Sequence, residues 1–95
     1  MTPEGKILRS ICRYLDGLSG VFYIKVRQGD YGTRGAPDII GCIRGRFFGF
    51  EVKAAKAKPT PLQRYTLSLI DKAGGIGLVV SSAEEVKNIL IRGIG

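Results

Sequence analysis

The chain has 95 residues, 44% of them hydrophobic, and its 15 Lys and Arg outnumber its eight Asp and Glu to give a net charge of +7. This length supports one modest core and no second domain, and no apolar run approaches the roughly 18 to 20 residues of a membrane span. The basic charge favours a polyanionic partner, either nucleic acid or an acidic membrane surface.

Two further features narrow the class of protein. The N-terminal segment lacks the charged start, long apolar stretch and cleavage site of a secretory signal, so we expect a cytoplasmic protein. There is no histidine, and Cys12 and Cys42 are far apart, which excludes the usual Cys/His zinc spacings and argues against a disulfide scaffold. Both cysteines are predicted to be buried small apolar residues.

The first helix is predicted over residues 3–16. It begins with Thr2 as N-cap and Pro3 in the first turn, and its apolar positions recur at helical spacing. Residues 20–28 then alternate in the manner of a strand with one buried face. The apolar set of that strand is Phe22, Ile24 and Val26, and the opposite set is Tyr23, Lys25 and Arg27. Residues 29–37, GDYGTRGAP, are predicted to be a loop because they carry three glycines and a proline.

Residues 38–43 and 46–53 are predicted to be two strands of a hairpin joined by a two-residue Arg-Gly turn. This turn sets the register so that Asp38 faces Glu51. Both carboxylates would project from one side of the sheet, with Cβ atoms about 4.5 to 5.5 Å apart. Like charges in this position repel each other, and more strongly near a core, so the sequence predicts that something compensates them.

The second half of the chain is predicted to contain a helix, a strand and a last helix. Capping boxes open both helices, the first formed by Thr60 and Gln63 and the second by Ser82 and Glu85. Residues 76–81 read as an apolar strand buried on both faces. The helix stripes predicted to be buried are Leu62, Tyr65, Thr66, Leu69 and Ile70, and Val86, Ile89 and Leu90. The order α-β-β-β-α-β-α predicts an α/β fold, with helices flanking a central mixed sheet.

A divalent cation is the simplest compensation for the paired carboxylates. Mg²⁺ takes hard oxygen ligands and is typically bound by one or two carboxylates together with water and a substrate phosphate. Lys53 lies on the same strand face as Glu51, about 6.6 Å further along, where it can reach such a phosphate or water. The alternative is that Glu51 and Lys53 form a weak ion pair on a solvated strand face.

Two more polar residues allow two interpretations each. Glu4 lies at the end of the apolar stripe of the first helix, so it either supports the positive end of the helix dipole or points toward the core and binds a metal-bound water. Gln63 is either a capping residue or an amide that positions the substrate or the lysine.

The run from Gly32 to Tyr65 resembles the VRR-NUC family of nucleases in the PD-(D/E)XK superfamily. Pro37-Asp38, then Glu51-Val52-Lys53 and then Gln63 match the motif positions of that family in order. The similarity extends from about Glu4 to the last helix. It implies that residues 1–95 form a single stand-alone nuclease domain with a restriction-endonuclease-like core.

The resemblance also implies a role for each matching residue. Asp38 and Glu51 would bind the metal ion together with the backbone carbonyl of Val52. Lys53 would stabilise or orient the attacking water. Glu4 would contribute through water, and Gln63 matches the glutamine of the family. The implied reaction is hydrolysis of a phosphodiester bond with Mg²⁺ or Mn²⁺ as cofactor.

Basic residues around these positions are candidates for phosphate contacts that would position DNA without reading its bases. They are Lys25, Arg27, Arg34, Arg44, Arg46, Lys56 and Lys58. Tyr31, flanked by glycine and aspartate, either packs on a sugar or base or anchors its own loop.

Small relatives of this type act on branched DNA, and a chain of this size cannot alone span a four-way junction. A homodimer would place two active sites for paired cuts. The leading hypothesis is therefore a homodimeric four-way (Holliday) junction resolvase from a phage or mobile element, with Ile91 and Ile94 as candidate interface residues. The alternatives are a nuclease for flaps, nicks or single strands, and a basic nucleic-acid-binding module without catalysis.

Overall fold

The computed structural model describes residues 1–26 and 34–93. Its elements are α1 (Pro3–Asp16), β1 (Val21–Lys25), β2 (Ile39–Ile43), β3 (Arg46–Val52), α2 (Pro61–Lys72), β4 (Ile76–Val80) and α3 (Ala83–Gly93). The strands form one sheet in the order β1-β2-β3-β4, in which the first three are antiparallel and β4 is parallel to β3. The predicted element order and the mixed α/β sheet are both confirmed.

The helix starts carry the side-chain caps that the sequence predicts. The Thr60 hydroxyl accepts a hydrogen bond from the Gln63 N–H at 3.1 Å, and the Gln63 side chain accepts one from the Thr60 N–H at 2.9 Å. At α3 the Ser82 hydroxyl accepts from the Glu85 N–H at 3.0 Å, but the Glu85 carboxylate accepts from Ser81 rather than from Ser82. Each of these bonds pairs a backbone N–H that a helix start otherwise leaves without a partner.

The turn between β2 and β3 fixes the register on which the site depends. Arg44 and Gly45 have φ angles of 48° and 87°, the left-handed pair that a two-residue type I′ hairpin turn requires. The paired residues run from Ile43 and Arg46 to Ile39 and Phe50. This is the register that the sequence predicts.

The sheet is covered unequally on its two faces. Helices α1 and α3 pack together on one face, where the core consists of Ile11, Cys12, Leu15, Ile39, Ile43, Phe48, Phe50, Val52, Ile76, Val80, Val86 and Leu90. On the opposite face α2 packs on β3 and β4. A Cβ at Gly77 would lie 2.4 Å from the Leu67 carbonyl oxygen, and one at Gly49 would lie 2.7 Å from Ile70. These two glycines therefore allow α2 to approach the sheet closely.

The predicted buried face of β1 is wrong, and that of α2 holds only for Thr66 and Ile70, which are half-buried. Val21 and Tyr23 of β1 face the core, and the alternate residues Phe22 and Ile24 are exposed. Tyr23 turns toward α1 because its hydroxyl donates to Asp16 Oδ1 at 2.6 Å.

In α2, Leu67 is buried and Ile70 is half-buried, whereas the predicted stripe residues Leu62, Tyr65 and Leu69 are exposed. Strand β4 differs from its prediction at one residue. Leu78 is partly exposed because β4 lies at an edge of the sheet.

Both cysteines are free thiols, Cys12 buried and Cys42 half-buried, which agrees with the prediction for the first and partly for the second. Burial raises the pKa of the Cys12 thiol. No helix among residues 1–26 and 34–93 combines the length and apolar character that crossing a membrane demands.

Candidate active site

The structure brings the two carboxylates of the hairpin together at the point where β2 begins and β3 ends. Asp38 and Glu51 are the next pair after Ile39 and Phe50 in the register, so their side chains leave the same face of the sheet. Hydrogen bonds fix both the backbone and the side chain of Asp38. Its carbonyl accepts from the Val26 N–H at 2.8 Å, and its carboxylate Oδ2 accepts from the Val52 N–H at 2.8 Å.

Glu51 is a buried carboxyl, with 3% of its surface exposed. Its pKa is raised to about 7, first by burial and then by the negative charge of Asp38, while Lys53 acts in the opposite direction. Its Oε1 atom is buried and has no hydrogen-bond partner among the described residues. A buried carboxylate oxygen without a partner is costly, so this atom is an available ligand.

Lys53 lies on the same side of the sheet, with its Nζ 3.8 Å from Glu51 Oε2. Its side chain is largely buried and Glu51 almost wholly so. The alternative of a solvated strand face with a surface ion pair is therefore wrong. The backbone of Lys53 is fixed as well, because its N–H donates to the Val80 carbonyl at 3.0 Å.

Glu4 reaches the same place from α1. Its Oε2 accepts from the Ala54 N–H at 3.3 Å, and its charge contributes to the raised pKa of Glu51. Of the two interpretations of Glu4, the structure supports the one in which it points inward. When all three carboxylates are ionised, they and the one lysine carry formal charges of −3 and +1, which leaves two negative charges without compensation.

The backbone carbonyl of Val52 faces the side of β3 on which Asp38 lies. The N–H of Val52 donates to Asp38 Oδ2, and in an extended strand the C=O of the same residue points to the same side. This carbonyl is therefore directed toward the carboxylate pair.

These features fit a divalent cation, with two adjacent carboxylates, an unpartnered buried oxygen, an inward-facing carbonyl and a net charge of −2. Among the described residues no three Asp, Glu or Cys side chains converge closely enough to hold an ion by themselves. Water and substrate oxygens would have to complete the coordination, as is usual for Mg²⁺.

Gln63 takes the capping role that the sequence allows. Its side-chain oxygen is engaged by the Thr60 N–H, so its amide hydrogens are what it could donate to another group. The contact with Thr60 fixes the side chain at the start of α2.

The predicted phosphate-binding residues divide between two ends of the sheet. Lys25 pairs with Ile39 and so lies at the end of the sheet where Asp38 is found. The exposed Lys56 and Lys58 follow β3 at that same end. Arg34 is exposed and precedes β2. Arg44 and Arg46 lie at the opposite end, and Arg46 is roughly 17 Å along β3 from Glu51. Arg46 Nε also donates to the Gly74 carbonyl at 3.2 Å. Arg27 and Tyr31 lie outside the described residues.

Sequence reasoning missed a basic surface on α1. Lys6, Arg9 and Arg13 are exposed on one side of the helix, and Arg9 and Arg13 line a groove of about 520 Å³ that also includes Lys25. The signal was present, because basic residues three and four positions apart share a helix face. Neighbouring like charges repel, so such a surface is suited to an anion.

No protein-family model matches the sequence, and neither does any curated protein. Among solved structures, one described as "VRR_NUC domain" is similar to this chain with a TM-score of 0.79 and 27% sequence identity. The match covers 98% of this chain and 99% of that one. The likeness therefore extends over nearly the whole of both chains.

Proposed function

Since the chain belongs to the VRR-NUC domain family, a family of nucleases of the PD-(D/E)XK type, we propose that Asp38, Glu51 and Lys53 are its active site and that cleavage depends on a divalent cation. DNA is the substrate that a nuclease domain implies. The observation that carries the proposal is the buried Asp38 and Glu51 pair, whose Oε1 has no partner among the described residues.

Asp38, Glu51 and the Val52 carbonyl are the groups that would hold Mg²⁺ or Mn²⁺. A divalent cation in this place lowers the pKa of a water molecule and neutralises charge that develops on the phosphate. Asp38 is already oriented by the Val52 N–H. This bond leaves the other carboxylate oxygen for a ligand and limits the reorganisation that binding requires.

Lys53 supplies positive charge beside the carboxylates. Its ammonium group has three donors, of which the 3.8 Å contact with Glu51 Oε2 uses at most one. The others can orient a water or a non-bridging phosphate oxygen, where positive charge stabilises the transition state. Glu4 can accept a hydrogen from a water at the edge of the cluster. Gln63 can donate its amide hydrogens from the start of α2.

The DNA backbone would approach the end of the sheet where Lys25, Lys56 and Lys58 lie. We further propose a homodimer that acts on branched DNA, with the four-way junction as the leading substrate and flaps, nicks and single strands as alternatives. What supports this is size. The radius of gyration is 12.5 Å, too small for one copy to span a four-way junction, and paired cuts need two active sites related by a twofold axis.

The test is a cleavage assay with four-way, flap, nicked and linear DNA in Mg²⁺, Mn²⁺ or EDTA. We expect cleavage with metal, none in EDTA, and losses on the order of 10²-fold or more for Asp38→Asn, Glu51→Gln and Lys53→Ala. Glu84→Gln, an exposed acid at the start of α3, is the matched control and should cleave as the wild type does.

Cleavage that persists in EDTA or in Glu51→Gln would contradict the metal-dependent mechanism. DNA binding with no cleavage of any substrate would support the alternative of a binding module. The ranking of the four DNA substrates decides among the junction, flap and nick assignments.

A further inference from the structure

Within residues 1–26 and 34–93, α2 covers the carboxylate-bearing face of the sheet over β3 and β4, and the adjoining half over β1 and β2 carries exposed apolar side chains. The register aligns Phe22, Cys42 and Phe47 in one cross-strand row and Ile24, Ile40 and Gly49 in the next. Phe22 is 71% exposed, and Ile24 and Phe47 are also exposed. Exposed apolar side chains that are grouped on one sheet face are typical of an interaction surface.

Helix α2 presents a second set of exposed apolar residues beside that half-sheet. Around the helix axis, Leu67 faces Gly77 of β4 and Ile70 faces Gly49 of β3. These contacts move around α2 from β4 to β3, and the next residue in that direction, Leu62, lies against Gly35, which precedes β2. Leu69 and Tyr65 follow Leu62 around the helix. They are exposed, and Tyr65 is 59% exposed.

These six residues, Phe22, Ile24, Phe47, Leu62, Tyr65 and Leu69, form what we call the open apolar face. Their patterns in the sequence are those of a buried strand face and a buried helix stripe, yet these six side chains are exposed in the single copy. The exposed apolar area amounts to about 600 Å², at the upper limit for a monomer. A stable dimer buries roughly 800 Å² on each partner, so this face with its rim is large enough for one.

We propose that the open apolar face is the interface between two copies of this chain. It contains a helix with an exposed stripe and, beside it, a half-sheet that none of the three helices α1 to α3 covers. Two copies related by a twofold axis can therefore place α2 of each on the open half-sheet of the other, which is the self-complementary arrangement of a symmetric dimer. This rests on the proposed nuclease function and assigns the surface through which its two active sites are joined.

The interface would lie beside the carboxylates. The row of Ile24, Ile40 and Gly49 is followed, one pleat repeat or about 6.6 Å along the sheet, by the row that holds Asp38 and Glu51. Both active sites would then flank the twofold axis. Of the two candidates that the sequence suggested, Ile94 lies outside the described residues, and Ile91 is 62% exposed but lies on α3 in the opposite layer, near Tyr14 and Leu18.

The experiment is sedimentation of the full chain over a wide range of concentration. We expect the wild type to have twice the mass of the chain, and a variant with both Phe22→Ser and Tyr65→Ser to dissociate with a dissociation constant at least tenfold higher. Both side chains are exposed in the single copy, so circular dichroism should show an unchanged fold. Ile91→Ser is the matched control and should remain dimeric.

Alkylation of Cys42 gives a second measurement that needs no variant of the surface. Cys42 lies between Phe22 and Phe47, so its rate of alkylation should fall as protein concentration rises. A wild type that is monomeric throughout, a double variant that dimerises as well as the wild type, or dissociation by Ile91→Ser alone would each overturn the proposal.

The proposed interface and the proposed active site can be contradicted independently of each other. Glu51→Gln should abolish cleavage and leave the dimer intact. If the variant with Phe22→Ser and Tyr65→Ser dissociates but the wild type never cleaves DNA, the interface is supported and the nuclease mechanism is contradicted.

Discussion

Replacing Glu51 by glutamine should make the metal-free protein more stable at pH 8 while it destroys the proposed metal site. Glutamine keeps the shape of the side chain and removes the charge that burial and Asp38 oppose. A structural ion pair with Lys53 would give the opposite sign, because removing one partner of a buried pair is strongly destabilising. The substitution therefore separates a carboxylate kept for function from one kept for stability.

The magnitude follows from the pKa of Glu51. The value rises from 4.5 in the unfolded chain to about 7 in the fold, and each unit corresponds to 1.36 kcal/mol. Between these two values the folded protein binds a proton that the unfolded chain has released, so the free energy of unfolding falls as the pH rises from about 4.5 to about 7. The loss amounts to about 3 kcal/mol, a large share of the roughly 5 to 15 kcal/mol that stabilises a domain.

Urea unfolding in EDTA at pH 5 and pH 8 measures this directly. We expect Glu51→Gln and the wild type to be nearly equal at pH 5, and the variant to be more stable by up to about 3 kcal/mol at pH 8. Saturating Mg²⁺ should raise the stability of the wild type at pH 8 and leave the variant unchanged. The exposed Glu84→Gln should follow the wild type. A Glu51→Gln protein that is less stable than the wild type at pH 8 would refute the reasoning.

Three further predictions address single residues. Lys53→Ala should slow cleavage on the order of 10²-fold while the affinity for DNA, measured by fluorescence anisotropy, changes far less; an equal loss in both would assign Lys53 to binding. Thr60→Ala should cost about 1 kcal/mol of unfolding free energy because it removes the cap of α2, and an unchanged melting curve would contradict the cap. Gly77→Ala should destabilise by about 1 to 3 kcal/mol, since its Cβ would lie 2.4 Å from the Leu67 carbonyl; a protein of normal stability would show that α2 can move away freely.

The candidate site was largely predictable because it depends on local geometry. A two-residue turn with glycine at its second position determines the hairpin register, and the register determines that Asp38 and Glu51 share a face. The inward orientation of Glu4 followed from the period of the helix alone. These inferences use contacts between neighbouring strands or within one helix, for which alternation and helical spacing are reliable guides.

The burial of β1 and α2 was not predictable in the same way. Helix α2 has apolar residues on two sectors, and the sequence pattern favours Leu62, Tyr65 and Leu69 because they are more numerous. The sector that packs is decided by Gly49 and Gly77, which leave room for Ile70 and Leu67. That choice depends on strands distant in sequence. Nothing in the alternation of β1 reveals that Tyr23 has a hydrogen-bond partner on α1.

The contact between Glu4 and the backbone after β3 has a consequence for the order of folding. Asp38 and Glu51 are joined by a short hairpin, whereas the bond from the Ala54 N–H to Glu4 closes a segment of 50 residues, and longer closures cost more chain entropy. The repulsion between Asp38 and Glu51 therefore arises when the hairpin forms, before α1 packs against the sheet. In the absence of divalent cations, raising the pH from about 5 to about 8 should therefore slow the refolding rate itself as well as lower the final stability.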